Sequence, residues 1–141
     1  MELKKLSDNF SVSAQISAVS VQEAAENGFT MIINARPDGE EDGQLESNEL
    51  AQASADSGLA YVHIPVIPGQ IDDEHVMAFA EALDASAGPV LGFCRTGTRA
   101  VHLWALSSAA RQSVAEIIES ASEAGYDIAD LIPRLEALSD S

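Results

Sequence analysis

Short apolar runs alternate along this chain with longer segments whose apolar residues recur at helical spacing. Phe10, Ser11, Val12 and Ser13 alternate with a period of two and predict a short edge strand. Residues 29–34 form a buried strand with a polar end at Asn34, and residues 59–65 a strand in which Val62, Ile64 and Val66 alternate. Residues 90–93 are a fourth. Between them lie helical patterns at 18–27, capped by Ser17 and stopped by Gly28, and at 48–57, capped by Ser47 and closed by Gly58. A third covers 73–87, with Asp72 as N-cap and Asp73 and Glu74 in the favourable first turn. Two more follow at 99–110 and at 114–124, the latter capped by Ser113 and stopped by Gly125. Pro133 breaks a continuous helix and starts a final one through Leu138. Residues 36–43 are turn-rich and belong at the surface.

This alternation predicts an α/β fold with a mostly parallel central sheet and helices on its faces. No repeat or linker divides the 141 residues, so residues 1–141 are expected to form a single domain. In such sheets ligands bind beyond the carboxyl ends of the strands. Asn34, Ala35 and Arg36, residues 67–70, and the loop that follows Phe93 are therefore expected to meet in one pocket.

Composition narrows the ligand. Apolar residues make up 46%, enough to build a core, while the formal charge of −16 argues against nucleic acid and anionic membranes. Only seven residues are basic, and Arg36, Arg95 and Arg99 fall beside the expected pocket. Scarce cations gathered in an acidic chain point to a small anionic substrate. The first residues lack a signal-peptide apolar core, and no run approaches the ~20 apolar residues of a membrane span. With one cysteine there is neither an internal disulfide nor a resolving thiol, so a reducing, cytoplasmic location is expected. An interface between copies of the chain is left open at Leu103 and Trp104, although helical spacing favours both as core residues.

That cysteine, Cys94, opens the run Cys94-Arg95-Thr96-Gly97-Thr98-Arg99 between the fourth strand and a helix. A thiol on such a turn sits where backbone N–H groups converge and the helix dipole favours negative charge, which stabilises thiolate. A lone cysteine after a strand is ordinarily a small buried hydrophobe. Here Arg95 and Arg99 flank it, Gly97 permits a left-handed turn that aims amides into one concavity, and Thr96 and Thr98 add donors. The pattern points to a nucleophile in an anion cradle. Arg99 as a plain surface cation is unattractive, because its charge opposes the helix N-terminus unless an anion lies between.

The chain resembles the family of the beta-lactamase hydrolase-like protein, phosphatase-like domain. The matching pieces are Ser11 to Ile16, Ile33 to Glu40, His63 to Val66 and Cys94 to Arg99, in the family's order and over nearly the whole length. The resemblance implies a fold like that of cysteine-dependent protein tyrosine and dual-specificity phosphatases. It implies Cys94 as nucleophile and Arg99 as the bidentate clamp, with Arg95, Thr96, Gly97, Thr98 and Arg36 binding substrate. No metal or other cofactor is implied, and His63, His75 and His102 lack metal-ligand spacing. Some relatives carry a metal-dependent domain acting on sulfur compounds. Four residues separate Cys94 from Arg99, one fewer than in the familiar phosphatase loop and as many as in rhodaneses. A persulfide-carrying sulfurtransferase is therefore the alternative to a phosphatase-like hydrolase, and a non-catalytic anion binder is a third reading. Candidate general acids are Asp72, Asp73 and Asp38, of which Asp72 has an ordinary explanation as a helix cap and Asp38 as a turn former.

Overall fold

The apolar segments become strands, and one more strand precedes them. In the computed structural model, which describes residues 1–139, β1 (Lys4–Ser7), β2 (Phe10–Ser13), β3 (Met31–Asn34), β4 (Ala60–His63) and β5 (Val90–Phe93) form one sheet in the order β1-β2-β5-β3-β4. β1 runs antiparallel to β2, and the pairs β2–β5, β5–β3 and β3–β4 are parallel. Register aligns Ser13, Phe93, Asn34 and His63 in one row at the carboxyl edge. The chain leaving each of these strands therefore emerges at a common level. β5 lies inside the sheet, so whatever follows Phe93 sits over its middle.

Side chains that alternate along the strands feed two separate cores. On one face Phe10, Val12, Met31, Ile33 and Val90 pack with Phe79 of α3 (Asp73–Ala85), with α4 (Thr98–Ser108), with Ile117 and Ala121 of α5 (Val114–Glu123), and with Leu135 of α6 (Ile132–Ser139). On the other, Ile32, Leu91 and Phe93 pack with Val21 and Ala24 of α1 (Ala18–Glu26) and Leu50 of α2 (Ser47–Asp56). The α/β architecture with helices on both faces is thus as the alternating pattern predicts.

The boundaries differ for local reasons. β1 is absent from the sequence expectation because Lys4 and Lys5 mask it, and Leu6 alone of its four residues is buried. Ser47 does not cap α2. It is the first residue of that helix, and its N–H is satisfied by the Asp38 carboxylate, Oδ1 at 2.8 Å, because the preceding loop folds back over the helix start. Pro133 sits in the first turn of α6, behind a 3₁₀ turn at Ala129–Leu131, where its missing N–H is harmless. Leu103 and Trp104 are fully enclosed by the first core, which removes both as a surface for a second copy.

Gly92 of β5 is required by packing. A Cβ there would lie 2.6 Å from Cζ of Phe10, whose ring meets Phe79 edge to face at 5.1 Å. We expect Gly92→Ala to lose ~1–3 kcal/mol through overpacking. Denaturant unfolding followed by the fluorescence of the single tryptophan, Trp104, would read this as a lower midpoint. Shortening the ring in the double variant Gly92→Ala, Phe10→Leu should recover part of the loss.

Candidate functional site

Cys94 is the first residue past β5, and it is almost wholly enclosed, with 1% of its surface exposed. One side of it touches the α3–α6 core. The other side is polar: the Gly97 N–H donates to Sγ at 3.1 Å. The chain can bend back that far because Gly97, the N-cap of α4, has a φ of +94°, a left-handed value that suits glycine. A side chain there would collide with the Tyr126 hydroxyl and come within 3.3 Å of the Ser13 carbonyl.

The loop is also pinned from outside. Tyr126 donates its hydroxyl hydrogen to the Thr96 carbonyl at 3.0 Å, and the Gln15 N–H donates to the Arg95 carbonyl at 3.2 Å. Burial, with the nearby Cys94 sulfur adding to it, raises the Tyr126 pKa and keeps that hydroxyl a donor. The side chains of Arg95, Thr96 and Thr98 are exposed, and the two threonine hydroxyls lie 3.0 Å apart.

Arg99, one turn into the loop-to-helix junction, is buried and heavily bonded. Nη1 donates to Glu40 Oε2 at 2.7 Å and to the Val66 carbonyl at 2.8 Å, and Nη2 donates to Glu40 Oε1 at 2.9 Å. Glu40 thus takes the end of the guanidinium as a bidentate pair. The Nε–H and one Nη2–H form the remaining edge, and Cys94 lies near enough to act on the Arg99 charge. Burial works against the Arg99 charge, but Glu40 and Cys94 together more than offset it, and its pKa is raised.

Glu40 is shared. Its Oε1 also accepts from Arg36 Nε at 2.8 Å, while Arg36 Nη1 donates to Gln15 Oε1 and Nη2 to Glu41 Oε1, each at 2.9 Å. Arg36, 1% exposed, is therefore spent on holding Glu40, Glu41 and Gln15, and it borders the site as a strut beneath Glu40. Hydrogen bonding from Arg99 holds the Glu40 carboxyl below its usual range against the opposing effect of burial, and Arg36 lowers it further. The loop carrying both residues is braced from below: the Asn34 side chain accepts from the Arg36 N–H at 2.8 Å and donates to the Tyr61 hydroxyl at 2.9 Å.

Two adjoining hollows open around Arg99. One, of 250 Å³, is lined by Arg36, Glu40, Pro68, Arg95 and Arg99. The second, of 260 Å³, is lined by Pro68, Gly69, Arg95, Thr96, Thr98, Arg99 and His102. The three segments expected at the carboxyl edge do meet here. The candidate acids do not join them at either lining. Asp38 holds the start of α2, Asp72 begins α3 with its N–H bonded to His75 Nδ1 at 3.0 Å, and Asp73 pairs with Arg134 at 3.1 Å.

Glu40, Gln15 and His102 escape a reading of the sequence for chemistry. Glu40 lies in a loop whose turn residues alone stand out, and its partner Arg99 is 59 residues away. His102 had a usable signal, since its spacing from Thr98 and Arg99 places all three on one helix face.

Residues 2–111 match the family described as beta-lactamase hydrolase-like protein, phosphatase-like domain. A beta-lactamase hydrolase-like protein of Xylella fastidiosa is 34% identical over 138 residues, covering 96% of this chain and 32% of that protein. One from Agrobacterium fabrum is 33% identical over 109 residues, covering 77% of this chain and 25% of its own length. The chain thus spans about a quarter to a third of the curated relatives it matches. Among solved structures, a candidate phosphatase from Neisseria meningitidis superposes with a TM-score of 0.85 at 32% identity, covering 98% of this chain and 99% of that one. TpbA of P. aeruginosa, solved in complex with pTyr, superposes with a TM-score of 0.67 at 18% identity, covering 97% and 87% of the two chains, a likeness of fold.

The Glu40 clamp has an acid signature. A carboxyl whose folded pKa is depressed contributes stability above its unfolded value, and that stability is lost as pH falls through the depressed one. We expect Glu40→Gln, which leaves two buried guanidiniums short of a counter-charge, to lose about 3 kcal/mol at neutral pH. Its stability should then fall less steeply than that of the unaltered chain through the carboxylate range. Denaturant unfolding at stepped pH measures both effects.

Proposed function

The chain belongs to the beta-lactamase hydrolase-like protein, phosphatase-like domain family, and from that membership we propose that it is a cysteine-dependent phosphatase-like hydrolase acting on a small phosphomonoester. The observation that carries this reading is the divided use of Arg99. Glu40 and the Val66 carbonyl occupy Nη1 and the end of the guanidinium and leave the Nε/Nη2 edge, with Cys94 near enough to help raise the Arg99 pKa. A planar fork held in this way beside a sulfur suits two oxygens of a phosphoryl group bonded to that sulfur.

In this reading Sγ of Cys94, as thiolate, forms a bond to phosphorus while the ester P–O bond breaks, and the electron pair leaves on the alcohol oxygen. Amides of the 95–99 loop and the free edge of Arg99 stabilise the equatorial oxygens as negative charge builds on them. Water then cleaves the S–P bond, giving inorganic phosphate and returning the electron pair to sulfur. An aryl oxygen departs readily without a proton donor, which fits a site whose candidate acids are held elsewhere. The pTyr bound by the P. aeruginosa neighbour supports an aryl phosphate as the first substrate to try.

One observation favours a second reading. The loop places four residues between Cys94 and Arg99, and Gly97 bends it tightly enough for its N–H to reach Sγ. A ring of this size suits a single terminal sulfur on Cys94, as in a rhodanese-like transfer from thiosulfate to cyanide.

Both readings are tested on the full chain beside Cys94→Ser. The phosphatase reading expects an aryl phosphate to be cleaved in a Cys94-dependent way. It is overturned if only thiosulfate with cyanide gives Cys94-dependent product, as thiocyanate. If neither assay depends on Cys94, an anion-binding module remains. For the phosphatase, Arg99→Lys keeps the charge and loses the fork, and should lower kcat by about 10²-fold while the protein stays folded.

A further inference from the structure

The hydrolytic half of the proposed reaction needs a group to take a proton from water, and Asp38, Asp72 and Asp73 are bonded elsewhere. His102 is the remaining titratable side chain on the wall of the hollow that holds Thr96, Thr98, Arg95 and Arg99. It follows Arg99 by three positions and Thr98 by four, which brings all three to one face of α4.

The other two histidines have structural partners: His63 Nε2 meets the Arg36 carbonyl at 2.8 Å, and His75 Nδ1 accepts from the Asp72 N–H at 3.0 Å. The His102 side chain makes no hydrogen bond among the described residues, although it is half-buried. No buried side-chain nitrogen among those residues lacks a partner, so its ring nitrogens keep contact with solvent. Burial lowers its pKa, with Asp130 pulling weakly the other way, and this favours the neutral imidazole that can accept a proton. Arg95 and Arg99 are the charged groups that line the same hollow.

We propose that His102 is the proton acceptor for hydrolysis of the phosphocysteine intermediate, an assignment that rests on the Cys94 phosphatase reading. The water oxygen forms a bond to phosphorus as the S–P bond breaks. One water proton passes to an imidazole nitrogen, the electron pair of the S–P bond returns to Cys94, and inorganic phosphate leaves. The imidazolium then releases its proton to solvent.

The test uses the full chain, rapid mixing and an aryl phosphate with a good leaving group, in the unaltered protein, Cys94→Ser, His102→Asn and His102→Ala. His102→Asn should release one phenolate per protein at the normal initial rate, then turn over about 10²-fold more slowly. Intact-protein mass should show a phosphoryl adduct accumulating on Cys94. Added imidazole should restore turnover in His102→Ala by entering the vacated space, a rescue that a purely structural role would not give. The assignment is overturned if His102→Asn turns over normally, or if burst and turnover fall together with no adduct and no rescue. If the unaltered protein shows no Cys94-dependent release, the phosphatase reading itself fails, and the proposal falls with it before any His102 variant is measured.

Discussion

One carboxylate gripped by two buried guanidiniums organises the functional end of this molecule. Glu40 lies between Arg36, rising from the end of β3, and Arg99, in the first turn of α4. Removing one member of such a group leaves a charge enclosed without its partner, which is far more costly than losing a surface ion pair. The arrangement ties the loop after β3 to the helix after β5, two segments that backbone pairing brings level but does not join. It also decides which edge of Arg99 is available. The clamp is therefore structural and chemical at once: the bonds that fix the loop are the bonds that orient the fork.

A second constraint acts on the loop itself. Gly97 takes a left-handed turn under the Tyr126 hydroxyl, and Tyr126 and Gln15 each hold one of the loop's carbonyls. With its carbonyls turned outward to these partners, the loop directs the Gly97 amide inward at sulfur. A segment with so few residues has little freedom to choose another shape. Peptide dipoles aimed at one point favour negative charge there.

Sequence patterning carries much of this and stops at an identifiable point. β5 is legible to the residue because Val90, Leu91 and Phe93, with Gly92 among them, are bounded by Gly88-Pro89 and a polar loop. Ser17, Asp72 and Ser113 are legible as helix starts because capping is a local interaction. The Cys94 loop is visible because cysteine, glycine and arginine crowd into six positions. What escapes is long-range. Asp38 displaces Ser47 as the group that satisfies the start of α2, and Glu40 finds Arg99 across the fold. β1 escapes because an antiparallel edge strand of two lysines has almost no hydrophobic signature. Arg36 was visible as a cation near the pocket, but only its bonds show that its charge is already matched.

Cys94 belongs to two environments, since its enclosed side is continuous with the larger core and its other side meets the loop amide. Reactivity of the sulfur and integrity of the interior are thereby coupled. A bulky thiol reagent, too large for the closed arrangement, gains access at the frequency with which this part of the fold breathes. The thiol is in effect a built-in gauge of local opening, and its labelling rate reports the looseness of the region between α4 and the sheet.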